Sequence, residues 1–147
     1  MSDHLLTKFL HLSQEITHAE RLLAVDADMK VVDRIDLSDE ELDSPEFTKI
    51  AEPNLKQAFA KGEVIVTNNL IADEVQAPNT NTNFSELRIV VLFPVANVGA
   101  IYMDKRIRSG MIARESVDKL AALATRIVDG GQEDSSEEQM LGWFRNL

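Results

Sequence analysis

The sequence predicts an α+β fold: a central antiparallel sheet of about five or six strands, terminal helices on one face, and middle helices with a long loop on the other. Three observations point there. Leu87 to Asp104 holds two apolar runs, Ile89–Phe93 and Val98–Met103, without the apolar–polar alternation of a half-wet strand. Both faces of these strands therefore need cover. Amphipathic segments of helical period lie near both ends of the chain and in its middle. The predicted order is helix, two strands, helices, strand, long loop, two strands, helix, which supplies one layer to each face of such a sheet.

The composition narrows the function. A chain of 147 residues suggests one domain that buries about two-thirds of its unfolded surface. A net charge of −10 argues against sequence-independent nucleic-acid binding and against docking on anionic lipid. The absence of cysteine excludes disulfides, thiolate metal sites, a cysteine nucleophile and thioether-linked cofactors. The N-terminus lacks the uninterrupted apolar core of a signal peptide, and no run approaches the ~20 apolar residues of a membrane span. The expected location is the cytoplasm, with no nucleic-acid or membrane partner.

Residues 3–17 read as an amphipathic helix, with Leu5, Phe9, Leu12 and Ile16 on one stripe widened by Leu6 and Leu10. Ser2 or Asp3 can cap it. His4, His11 and His18 recur every seven residues, about 10 Å apart along the axis, which suits a solvated flank better than a metal site. Arg21–Val25 and Lys30–Ile35 form a hairpin through Asp26–Met29. Asp26 and Asp28 have the look of a calcium loop but lack its Gly and distal Glu, so a solvated turn is expected. Asp36 to Asp43 reads as an acidic solvated loop, with a metal or basic-partner site as the alternative.

Ser44-Pro45-Glu46 starts a helix that runs to Lys61, with Gly62 as its left-handed cap and Pro53 splitting it into a shorter and a longer piece. Glu63 to Thr67 is a short strand. Asn68 to Asn83 is the longest irregular segment, and such segments are usually functional or mobile. In the central hairpin, a two-residue turn at Ala96-Asn97 would oppose Phe93 to Ala100 and Leu92 to Ile101, placing Phe93 and Tyr102 on one face. Lys105 to Met111 is a basic connector. Arg114 to Asp129 is the clearest helix, closed by Gly130-Gly131. The domain therefore spans residues 1–131. Residues 132–147 form an acidic linker and an apolar tail of Met140, Leu141, Trp143, Phe144 and Leu147. That cluster docks on its own domain or a sister subunit, or binds another protein; self-docking is expected, because exposed aromatic clusters seldom stay uncovered.

Four blocks in order resemble a GAF domain, within the GAF/PAS-like group of folds. They are Ala19–Asp26 as first strand, Phe47–Asp73 as helix, Lys-Gly, strand and Asp-containing loop, Ser85 to Asp104 with its Phe93-Pro94-Val95 and Gly99-Ala100-Ile101-Tyr102-Met103-Asp104 steps, and Asp118–Ile127 as closing helix. The resemblance covers about residues 3–130. It implies a sensory or regulatory module that binds a small molecule between the sheet and the middle segment, commonly as a homodimer through terminal helices. A covalently attached bilin and methionine sulfoxide reduction both need Cys, which is absent. Asn68-Asn69 and Asp73-Glu74 echo a cyclic-nucleotide motif without its Lys and Phe spacing. The cofactor stays unassigned.

No Gly-x-Ser-x-Gly elbow, phosphate-cradling loop or Ser-His-Asp set is present, so a non-enzyme is expected. The candidate ligand-binding residues are Asn69, Asn83, Ser85, Arg88, Phe93 and Tyr102, with Arg88 as an anion partner. Their competing roles are core packing for Phe93 and Tyr102, a surface ion pair for Arg88 and turn chemistry for Asn83. Two functions follow: a small-molecule sensor that signals through a protein partner, or a ligand-free dimeric scaffold acting through terminal helices and tail. With no output segment in the sequence, signalling is expected to pass through another protein or a change in self-assembly.

Overall fold

The computed structural model describes residues 2–67 and 88–147. The elements are α1 (Ser2–Thr17), β1 (Arg21–Asp26), β2 (Val31–Ile35), α2 (Asp39–Asp43), α3 (Pro45–Lys61), β3 (Ile65–Thr67), β4 (Arg88–Val95), β5 (Gly99–Arg106), α4 (Arg114–Asp129) and α5 (Glu137–Arg145). Among the described residues the sheet has five strands in the order β2-β1-β5-β4-β3, all neighbours antiparallel. The expected α+β architecture is present, with a core on each face.

On one face, α1 and α4 pack Leu5, Leu6, Phe9, Leu120, Leu123 and Ile127 against Leu22, Val91, Phe93, Ile101 and Met103. On the other, α3 packs Phe47, Ala51, Leu55 and Ala58 against Leu23, Val25, Val90, Leu92, Ala100 and Tyr102. The helical period of α3 and the two-residue period of the strands put each set on its face.

The hairpin register differs from the sequence expectation. Val95 opposes Gly99, Phe93 opposes Ile101 and Leu92 opposes Tyr102. The turn holds three residues, with Ala96 left-handed at φ 49° and Val98 N–H donating to Val95 O at 2.9 Å. Phe93 and Tyr102 therefore face opposite layers. Because β4 and β5 are apolar on both faces, a slip of one residue exchanges one greasy set for another, and alternation carries no register signal. Gly99 lies where a Cβ would stand 2.1 Å from Val25 O, so close approach of β1 demands glycine.

Two further expectations are corrected. The acidic stretch is not all loop: Ser38 and Glu41 form a capping box that starts α2. Pro53 does not split α3, which runs unbroken from Pro45 to Lys61, with Gly62 left-handed at φ 63° as its cap. Immediately after Pro53, Asn54 Nδ2 donates to Ile50 O at 2.8 Å, adding a bond to a carbonyl of the turn that precedes the proline.

The tail folds as α5, begun by a second capping box, Ser136 with Gln139. Met140 is fully buried against the α1–α4 layer, and Leu141, Trp143 and Phe144 pack on it half-buried. Lys8 Nζ donates to Glu133 O and Ser135 O at 2.9 and 2.8 Å, and His11 pairs with Glu137 at 2.8 Å.

Candidate functional site

A cavity of about 250 Å³ lies between the β1–β2 hairpin and the α2–α3 pair. Its walls are Leu23, Val25, Met29, Val31, Leu42, Phe47, Ala51 and Leu55, with Thr48, Asp43 and Glu52 as the polar members. Local sequence explains the shape. Leu23 and Val25 point to this face because Leu22 and Ala24 point to the other. Asp26 Oδ1 accepts from the N–H groups of Asp28 and Lys30 at 2.8 and 3.0 Å, closing the turn that carries Met29, left-handed at φ 64°. Ser44 ends α2 and caps α3, its Oγ accepting from Phe47 N–H at 3.2 Å, which sets the angle between the two helices. The small Ala51 between Phe47 and Leu55 leaves the sheet uncovered there, and Val31 is half exposed.

Beside the cavity, a charge cluster is centred on Asp104, whose side chain is 0% exposed. The carboxylate accepts from Arg21 Nε at 3.0 and 3.1 Å, from Arg21 Nη2 at 2.8 Å and from Arg88 Nη1 at 3.0 Å. The Tyr102 hydroxyl donates to it as well. Arg21 also reaches Glu41 at 3.3 Å and lies 5.8 Å above the Phe47 ring, which meets Tyr102 edge-on at 5.0 Å. Burial, and then the Asp104 charge, push the Tyr102 hydroxyl well above its usual range, so it stays a donor. Burial alone would lower the Arg21 pKa; the hydrogen bonds and charge of Asp104 override it and raise it. Glu41 is held low, first by the Ser38 backbone N–H. Glu20 closes the cluster, accepting from Arg106 N–H, Arg106 Nε and Ser109 Oγ at 3.0, 3.1 and 2.8 Å, and pairing with Arg88 at 3.2 Å. Burial would raise Glu20, yet these bonds hold its carboxyl at about 2. Glu41 thus belongs both to the α2 cap and to the Arg21–Asp104 chain, which joins the cavity wall to β1 and β5.

No family model matches the sequence, and no curated protein does. Among solved structures, the chain is similar to the crystal structure of the GAF domain/HD domain protein from Geobacter sulfurreducens. The TM-score is 0.57 at 15% identity, over 89% of this chain and 94% of that one. The chain has a GAF-type fold.

Within this GAF-type frame the sequence candidates scatter. Asn69, Asn83 and Ser85 lie outside the described residues. Phe93 is buried on the α1–α4 face, away from the cavity. Tyr102 is buried on the α3 face but spends its hydroxyl on Asp104. Arg88 is paired with Asp104 and Glu20 and only 15% exposed, so neither a free anion partner nor an exposed ion pair. Of the tail residues, Met140 is buried and Leu147 is exposed. The cavity's own residues, from Leu42 to Leu55 with Met29 and Val31, carry only the ordinary apolar pattern of a core in the sequence, and α2 lies in a stretch whose acidic composition reads as loop. Its capping box was the available signal. Asp104 also had one: Tyr102-x-Asp104 places a carboxylate on the same strand face as a buried tyrosine, where it needs cationic partners. Among the described residues no cluster of three or more His, Cys, Asp or Glu could hold a metal, and no helix is long and apolar enough to cross a membrane.

Proposed function

We propose that this chain is a non-catalytic sensory or regulatory module of GAF type. A small molecule occupies the cavity between the sheet and α2–α3, and its occupancy is passed to a partner protein. The observation that carries this reading is the cavity itself: apolar walls, a few polar groups at one side, and a size just below that of drug-sized ligand sites. The Glu41–Arg21–Asp104 chain supports the second half. Any movement of α2 on ligand entry strains an ion network whose far members sit on β1, β5 and, through Arg88, β4, the strands that carry α1 and α4 on their other face. The scaffold alternative has less support, since the apolar residues of α5 are largely used within the domain.

Thermal unfolding across a metabolite panel tests the proposal, with the wild type beside Ala51→Leu, which fills the cavity. A binder should raise the Tm of the wild type and leave the variant unmoved. If every stabilising compound acts equally on both proteins, the ligand site is elsewhere and the proposal fails.

A further inference from the structure

Resting on the reading of the α2–α3 cavity as a ligand site, we propose that its ligand is an apolar amine: a hydrocarbon group carrying a protonated nitrogen. Among the described residues that line the cavity, the charged ones are Asp43 and Glu52, both carboxylates and both exposed. Among the described residues no Lys, Arg or His lines it. Among the described residues neither carboxylate has a hydrogen-bond or ion-pair partner, so both are available to a ligand. Arg21, over Phe47, does not line the cavity, and its charge is spent on Asp104 and Glu41. Among the described residues Thr48 is the remaining polar member of the lining, and its hydroxyl already donates to Ser44 O and Pro45 O.

This arrangement sorts ligands by charge. An anion entering would bring its charge beside two carboxylates, with no cation among the described lining residues to offset it. A neutral polar ligand would lose water to walls of Leu, Val, Met and Phe, with few free donors or acceptors to replace it. An amine lays its hydrocarbon on Leu23, Val25 and Leu55 and keeps the ammonium at the exposed carboxylates. Apolar area is buried and the charge stays partly hydrated, as a lysine does when its stem is covered and its head is wet. Each exposed carboxylate a few Å from the ammonium is worth a several-fold gain, so the pair should give a preference on the order of tenfold over a neutral analogue.

Methyl NMR reads this directly, because Met29 lines the cavity while Met103 and Met140 lie in the core of the opposite face. The full chain, labelled at the methionine methyls, is titrated with phenethylamine, 2-phenylethanol and 3-phenylpropionate, which share a ring and arm and differ in charge. The expected result is a Met29 shift at the lowest concentration for the amine, about tenfold higher for the alcohol and highest for the acid. Asp43→Asn combined with Glu52→Gln should erase the preference while leaving the Met103 and Met140 methyls in place, and salt near 1 M should weaken it. Equal binding of amine and alcohol, or tighter binding of the acid, overturns the amine assignment but leaves a small-molecule site. No Met29 shift with any of the three overturns the amine assignment, while the ligand-site reading itself stands or falls on the unfolding panel with Ala51→Leu.

Discussion

Replacing Asp104 by Asn removes the negative charge on which Arg21, Arg88 and Tyr102 converge. The carboxylate is fully buried, and the two guanidinium side chains are 13% and 15% exposed. Asn keeps the shape but turns one acceptor into an NH₂ donor pointing among donors. Arg21 would keep Glu41, and Arg88 would keep Glu20, both outer partners that cannot replace a shared central charge. Leaving one side of a buried ion pair uncompensated costs about 3–5 kcal/mol. For a chain of this size that is a fall in Tm on the order of 10–20 °C. Equilibrium urea unfolding of wild type and variant measures it, read from the shift in midpoint at constant slope. Tyr102→Phe is the internal scale: it removes one donor while both arginines remain, and should cost only about 1 kcal/mol. If Asp104→Asn costs no more than Tyr102→Phe, the cluster is solvated rather than buried, and it cannot link the cavity wall to the sheet.

Gly99→Ala should cost more than about 1 kcal/mol, because its Cβ would stand 2.1 Å from Val25 O and β1 would have to shift; chemical denaturation reads the loss. Glu20→Gln should destabilise the protein at neutral pH, with the difference shrinking steadily as pH falls from about 4.5 through 2. The folded-state pKa of Glu20 lies at about 2, below its ordinary 4.5, so its contribution is complete above about pH 4.5 and fades as pH falls toward 2. Parallel pH–stability curves that converge at acid pH meet this expectation, and curves with a constant gap contradict it. Met140→Ala should cost about 2 kcal/mol and raise amide exchange selectively in residues 137–145, since α5 is anchored by that fully buried side chain; unchanged exchange would mean that α5 is held chiefly by Lys8 and its other contacts.

The elements were legible where a period and a terminator agreed. Leu5, Phe9 and Leu12 announced α1, and Ser44-Pro45 with Gly62 bracketed α3. The layered α+β arrangement followed from the unalternating hairpin, which demanded cover on two sides. That same property hid the register, since Phe93 and Tyr102 fit an apolar layer equally well on either face. The decision lay in long-range contacts, Gly99 against β1 and Asp104 against Arg21, that no local pattern records. The cavity was illegible for a related reason. It is made by what is missing, the small side chain at Ala51 and the gap between two short-range elements, and a sequence lists side chains rather than the space between them. Polar residues with a loop context, such as Asn83 and Ser85, attract attention in a sequence; Leu42, Met29 and Leu55 read as core until their neighbours are placed.

The central claim is that a small molecule sits between the sheet and α2–α3. Native mass spectrometry of gently purified wild-type protein beside Ala51→Leu addresses it most directly. A bound mass on the wild type, released on denaturation and absent from the folded variant, is the predicted result. A wild type that carries no added mass when purified and takes up none from the metabolite panel, or a variant that carries the same mass, contradicts the claim.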